Sequence, residues 1–553
     1  MKMTRPVDRR GLLRSAGAVA LGAACGPMLP LEQAYAQGTP SAPAGTLRVA
    51  MTAAAVPLPN GQTDQGGEGQ RFIGYTLFDS LILWDLSRSD APSRLVAGLA
   101  TDWKPDPADP ARWVFTLRRG AKFHDGSEFD ADAVVWNLEK ILNQNAPQFD
   151  RNQATQGRGR IPSIAPGAYR ALDRYTVEIR TTSPNALLPY EIAWIVMSSP
   201  AQWERVGRSW DNFLKEPSGT GPWKLTAYSP RERAVLVPNT EYWDPARRPK
   251  LAQLVLLPMP EASTRTAALR ANQVDWVEAP APDTLASLRQ AGFQIVTNSY
   301  PHTWIWHLSR IEGSPWNDLR VRQAANLAID RAGIAELLAG TMQPAQGMLP
   351  PSSPWFGNPA FKVRHDVTEA RRLMQAAGFT RARPLAFKAQ IPSSGSGMMQ
   401  PVPMNEAIQQ GLAEAHFKVE FEVLEWNAQT TAWRAGAKAP EARGASAHNN
   451  SYFSQDPFTG LIRHLRSDLV SPRGTNWGHY ADPEMDALFG EIATSFEPAK
   501  QDAACIRAHE KYVNEALFLF VGHDLNARAM SRRVQGFVQA QNWFQDFSPV
   551  RMG

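Results

Sequence analysis

Apolar side chains recur along this chain at two spacings, every second residue in short runs and every third or fourth in longer ones. Arg112 to Arg118 sets Trp113, Phe115 and Leu117 on one face of a strand, and Tyr175 to Arg180 does the same with Val177 and Ile179. Thr46 to Ala53, after the break at Gly45, reads as a first strand, and Val419, Phe421 and Val423 alternate with Glu420, Glu422 and Glu425 in a half-buried one. Helical spacing follows four capping signals. Asp130, with Asp132 in the first turn, precedes Val134, Leu138, Ile141 and Leu142, and Asp318 precedes Val321, Ala325, Ala328 and Ile329. Asp366 and Glu369 form a capping-box-like start for Ala370, Leu373, Met374 and Ala377, stopped by Gly378. Asp482-Pro483-Glu484 opens a helix with Met485, Leu488, Phe489 and Ile492 inward. Asp125-Gly126 marks a tight turn, and the loop Pro57 to Arg71, with Gly61, Gly66, Gly67 and Gly69, suits either a surface loop or a backbone that approaches a ligand. The pattern is mixed α/β, with no internal repeat or low-complexity tract.

Residues 1–36 do not share this pattern. Lys2, Arg5, Arg9, Arg10 and Arg14 precede a weakly apolar stretch from Ala16 to Cys25, and Ala34-Tyr35-Ala36 offers a small-x-small cleavage site. This is the layout of an export signal, and Arg9-Arg10 followed by Gly11-Leu12-Leu13-Arg14 resembles the twin-arginine type. Lipidation at Cys25 is the alternative; Gly22-Ala23-Ala24 suit it, while Leu21 lies one position too early. Past this segment no run approaches the roughly 18 to 20 apolar residues that span a bilayer. The chain has 553 residues, 43% hydrophobic and 20% charged, which suits about three domain-sized globular units. Its net charge of +5 would suggest an acidic partner, but residues 1–36 hold five basic and two acidic side chains, leaving +2 on the remainder. A nucleic-acid partner is not expected. Of the two cysteines only Cys505 remains beyond the signal, so no intrachain disulfide is expected.

Several segments, in order, resemble the extracytoplasmic solute-binding proteins of peptide/nickel/opine-type ABC importers, the family-5, dipeptide- and oligopeptide-binding-protein-like group. YTLFDSLILWD from Tyr75, LVAGLATDWKPD, and WVFTLRRGAKFHDGSEFDADAVVWNLEKIL are similar to that family's successive landmarks. Gly219-Thr220-Gly221-Pro222-Trp223 and Asn239-Thr240-Glu241-Tyr242-Trp243 resemble a later pair, although Pro238 stands where an Arg is usual. Asp318 to Arg331, Glu369 to Phe379 and Tyr480 to Asp486 match further ones. The resemblance implies a periplasmic-binding-protein type II fold, two lobes with an extra subdomain in the first, closing by a hinge on a ligand. On it, 1–36 is the signal, 37–75, 215–301 and 525–553 are the core of lobe I, 76–214 its extra subdomain and 302–524 lobe II. The crossings are expected near Tyr300 to Ser309 and Phe520 to Arg528.

Dipeptide-binding members resemble one another in placing an Asp shortly before an Asp-Pro pair, to meet the ligand's amino group. Here Phe453 falls at about that place ahead of Asp456-Pro457, and Ile391 to Met404 lacks the Arg that pairs the ligand carboxylate. The residues offered instead are Asn449, Asn450, Tyr452, Phe453, Asp456, Trp477 and the pair Trp304 and Trp306, in a chain with 18 Trp. They suit a peptide-like, opine-like or sugar-like solute, passed by a monomeric periplasmic receptor to an inner-membrane permease and its ATPase subunits, with no cofactor and no catalysis. His124-Asp125 is read as scaffold. Two rival readings stand beside this: a nickel-type metal or chelate receptor using His302, His307, His448 and His479, which show no ligand spacing, and a secreted hydrolase using Cys505 and His509, which share a helix face. Pro222 excludes a phosphate loop at Gly219, and neither a G-x-S-x-G elbow nor an H-E-x-x-H pair occurs.

Overall fold

A computed structural model gives the placement of residues 43–553, Tyr300 and Ser396 excepted. Residues 1–36, read from sequence as an export signal, and Cys25 within them lie outside the described residues. Strands with period-two patterns form three main sheets. In the seven-stranded sheet Thr46–Met51 is central, parallel to Gln253–Pro258 on one side and Trp276–Glu278 on the other. Arg233–Pro238 and Trp223–Ser229 extend the first side, and Arg528–Met530 and Gln294–Val296 the second, all antiparallel to their neighbours. Its core is built from Leu47, Val49, Leu254, Leu256, Trp223 and Trp276.

The six-stranded sheet belongs to the second lobe. His302–Leu308 runs through its middle with every residue buried, antiparallel to Ala447–Phe453 and to Phe518–Asp524. Met342–Pro344 closes one edge, and Leu385–Pro392 and Phe417–Leu424 the other. A strand covered on both faces has no solvent side, and here the alternate faces go to two separate cores. Trp304, Trp306 and Leu308 pack on the helices Leu319–Leu327, Val367–Ala376 and Pro401–Glu414, whereas Ile305 faces Pro483–Thr494 and Pro498–Asn514.

The four-stranded sheet, ordered Ala100–Asp106, Asp109–Leu117, Thr176–Thr181 and Ile164–Asp173, carries the helix Ala131–Leu142. Asp130 caps that helix by accepting from the Ala133 N–H at 3.1 Å, and Val134, Leu138 and Ile141 pack on Trp113, Phe115 and Leu117. The box at Asp366 is only half formed. Asp366 accepts from the Glu369 N–H at 3.0 Å, but the Glu369 carboxylate turns to Arg372 instead of the cap backbone. In the edge strand Phe417–Leu424 the expected alternation stops short, since Val423 is 51% exposed.

The chain leaves the seven-stranded sheet after Val296 and enters the six-stranded one at His302; it returns between Asp524 and Arg528. The two passages touch, the Asn298 N–H donating to the Leu525 carbonyl at 3.0 Å. The first passage is therefore shorter than the crossing read over Tyr300 to Ser309, most of which is already strand. Among the described residues no helix is long and apolar enough to cross a membrane.

Candidate functional site

The Gly-rich loop is the first wall of the site. Past Gly66 it turns helical, Gly67–Gly69 leading into a wide turn over Gln70–Gly74 and then Tyr75–Leu77. Arg71, buried here, donates through Nε to the Trp543 carbonyl at 2.9 Å, lays its guanidinium 4.1 Å from the Trp543 ring and pairs with buried Glu278. Glu278 also accepts from the Thr52 N–H at 3.2 Å and hydroxyl at 3.1 Å, and these cations and donors hold its carboxyl below the usual range despite burial. Trp543, fixed in this way, stacks on His302 of the second lobe with centroids 4.7 Å apart. A first-lobe platform therefore meets the start of the second lobe's central strand.

Beside this platform lie two joined cavities, of about 820 Å³ and about 110 Å³, which share Gly66, Arg160, Trp194, Arg434 and Arg463 in their walls. The smaller is lined from the first lobe by Gln65 to Glu68, Trp194 and Trp543, and from the second by Trp426, Trp433, Asn450 to Phe453 and His464. The larger extends toward Gln62, Gln70, Gln144 and Phe149 on one side and Arg473 to Thr475 on the other. Both lobes supply walls, and they touch at its margin, where Arg434 Nη2 donates to Gln156 Oε1 at 2.9 Å.

Three guanidinium groups line both cavities, and Arg151, Arg158 and Arg473 reach the larger one as well. Arg160 follows the helix Arg151–Gly157, with its Cζ 3.6 Å from the Trp194 ring centroid. Arg434 ends the helix Trp426–Ala435, and Arg463 follows the turn Phe458–Ile462, 6.0 Å from the Trp433 ring. Burial, then the neighbouring cations, pulls Arg160 well below its ordinary value and Arg463 down to about 10; Arg434 is lowered by burial.

The sequence-predicted residues separate cleanly. Asn450, Tyr452 and Phe453 reach the smaller cavity. Phe453 sits edge-on to Trp194 at 5.4 Å and near Trp84 and Phe544; Tyr452 stacks on His464 at 3.7 Å and bonds His307 through its hydroxyl. Asn449, Asp456, Trp304, Trp306 and Trp477 do not line either cavity. Asn449 is fully buried, donating to the Ile305 carbonyl at 3.0 Å and accepting from Asn405. Trp304 and Trp306 donate to the Met398 carbonyl and to Asn405 inside the core, and Trp477 packs on His307 and His448. Asp456 accepts from the Thr459 N–H at 2.8 Å and hydroxyl at 2.6 Å, a buried turn cap. Arg160, Arg434, Arg463, Trp194, Trp433 and Trp543 were not legible as site residues, because no local motif marks them.

Of the residues of the rival readings, His448 and His509 have both ring nitrogens engaged. His448 accepts from Gln429 at 3.0 Å, and its other ring nitrogen meets Gln390; burial takes it down to about 3. Among the described residues no three His, Cys, Asp or Glu side chains gather as a metal-holding group. His509 Nε2 accepts from the Leu349 N–H at 3.0 Å and Nδ1 donates to the Phe356 carbonyl at 2.8 Å, which uses both ring nitrogens. Burial pushes the Cys505 thiol up, opposite to what a nucleophile needs.

A family model described as "Bacterial extracellular solute-binding proteins, family 5 Middle" matches residues 94–462, more than half of the chain. Di/tripeptide-binding protein 2 of Pseudomonas aeruginosa (strain UCBPP-PA14) is 24% identical over 501 residues, covering 87% of this chain and 91% of its own. Among solved structures, the ABC transporter-associated periplasmic binding protein DppA from Helicobacter pylori, in complex with peptide STSA, superposes with a TM-score of 0.78 at 20% identity, covering 92% of this chain and 98% of that one. The dipeptide-binding protein of Pseudoalteromonas sp. SM9913, in complex with Met-Leu, gives 0.79 at 21% identity, covering 92% and 100%. The architecture is the two-lobed, type II periplasmic-binding-protein fold.

Proposed function

The chain belongs to the family-5 bacterial extracellular solute-binding proteins, and from that premise we propose that it is the periplasmic capture component of an ABC importer. A cavity walled by both lobes carries this reading, because a solute touching both sides stabilises the closed arrangement by its differential contacts. About 820 Å³ lies within the range of sites that enclose a small organic molecule, and the relative named for di- and tripeptides supports a solute of peptide size. We divide the chain as its sequence suggests, with lobe I in 37–75, 215–301 and 525–553, its subdomain in 76–214 and lobe II in 302–524. The export signal, of twin-arginine type, precedes them. A permease and its ATPase subunits take the solute onward from a monomeric receptor. Binding and release suffice, and the engaged His509 and protonated Cys505 support a receptor without turnover. Native mass spectrometry of freshly purified protein tests this reading. A co-purified small molecule, released on denaturation, is the expected result; a protein that carries and binds no solute would contradict it.

A further inference from the structure

Arg160 comes from one lobe and Arg434 and Arg463 from two segments of the other, yet they wall the same cavities. Among the described residues none of the three forms an ion pair with a carboxylate. The acids nearby act on them only through space, Asp456 on Arg160 and Arg463 and Asp64 on Arg434, and make their closer contacts elsewhere. Asp64 accepts from the Leu58 N–H at 2.7 Å, Asp456 from Thr459, and Glu68 lies 3.9 Å from Arg71. Arg158, which also reaches the larger cavity, is spent on the carbonyls of Ile141 and Leu142.

What compensates the three charges locally is weak. Arg160 has the Trp194 face, Arg434 a neutral amide at Gln156, and Arg463 has a buried Nε with no hydrogen-bond partner. Bringing like charges into a cleft with poor solvation is costly unless an anion enters with them. Such a cleft also focuses its field on the incoming solute. Extending the receptor reading above, on which this rests, we infer that the solute is an organic acid with at least two negatively charged groups, held between Arg160 of the first lobe and Arg434 and Arg463 of the second, its apolar part against Trp433, Trp543 and Phe453. The anion then does more than fill the cavity. It neutralises repulsion between arginines of opposite lobes, so that closure is favoured only when a suitable charge is present. Guanidinium forks suit carboxylate and phosphate oxygens alike.

Two probes of equal length separate charge from size: N-acetyl-glutamyl-glutamate and its uncharged counterpart, N-acetyl-glutaminyl-glutamine amide. Titration calorimetry at low salt is expected to give at least about tenfold tighter binding of the acidic probe. That preference should shrink in about 0.5 M sodium chloride and collapse in Arg434→Gln and Arg463→Gln, whose near-UV circular dichroism reports whether they fold. Arg434→Lys, which keeps the charge without the fork, should retain part of it. Equal affinity for the two probes, binding of neither, or a preference unchanged in folded Gln variants would overturn the inference. A co-purified solute that is neutral or cationic would overturn it too and leave the receptor reading standing, whereas a protein that carries and binds nothing would remove both.

Discussion

Phe453 stands at the corner where the second lobe's strand meets first-lobe aromatics, Trp84, Trp194 and Phe544. A Phe453→Asp change places a carboxylate in that apolar corner and beside the incoming acid, so affinity for the co-purified solute should fall by at least about tenfold; calorimetry that finds it unchanged would remove Phe453 from the site. Glu191 gives a residue-scale prediction in pH. Buried between Ser163 and Asn185, it is pushed up to about 7 from 4.5 by desolvation. The folded state thus favours its neutral form: the stability it contributes is full below pH 4.5 and is lost as pH rises through 7. Glu191→Gln should therefore gain on the parent between those limits, by at most about 3 kcal/mol, seen as a flatter melting temperature against pH. Lys140, lowered to about 7 by burial, acts in the window above and does not mask this effect. At this scale the sequence was half legible. Asn450, Tyr452 and Phe453 could be placed from their position ahead of Asp456-Pro457, but Trp304 and Trp306 lie in a strand buried on both faces, where an aromatic means packing. The three arginines could not be found from local pattern, because an unpaired guanidinium is defined by what the fold brings near it.

The matched segments, seen as elements, are mostly joinery. Asp79 of the LFDSL run accepts from the Thr220 hydroxyl at 3.0 Å, the Tyr242 hydroxyl at 2.9 Å and the Trp243 indole at 2.9 Å, tying three sequence landmarks together. His124 likewise donates to the Gly221 carbonyl at 2.9 Å, the scaffold role read for it from sequence. Asp79→Ala strands three donors at once and should cost about 3 kcal/mol or more, read by urea unfolding; a loss below about 1 kcal/mol would contradict this role. The Gly-rich loop lines the smaller cavity at its far end. A Cβ on Gly67 would stand 2.7 Å from Trp543 Nε1, so Gly67→Ala must displace the platform ring. Solute affinity should weaken several-fold in that variant while the melting temperature moves little; the reverse pattern would show the loop to be structural only. Strands, helices and caps were readable because their signals are local. The ends of the Gly-rich loop and the half-formed box at Asp366 were not, since tertiary contacts set both.

Over the whole molecule, two lobes joined by two adjacent passages wall a cavity, and they meet beyond the aromatic corner as well. The Gln156–Arg434 bond, the Ala186 N–H on the Ala493 carbonyl at 2.6 Å and the Trp113–Phe496 ring contact link the second lobe to residues of the four-stranded part. Moving such a hinge from mostly open to mostly closed takes about 5.5 kcal/mol of differential binding, which the solute must supply. The two-lobed fold was legible through the order of family landmarks, but the arginines that face the cavity were not, because they come from both lobes. The structure of the protein crystallised with its own co-purified solute tests the central claim most directly. Density for the solute between Trp433 and Trp543, with an oxygen-rich end on Arg434 and Arg463, is the predicted result; a solute bound outside the cavity, touching one lobe alone, would contradict it.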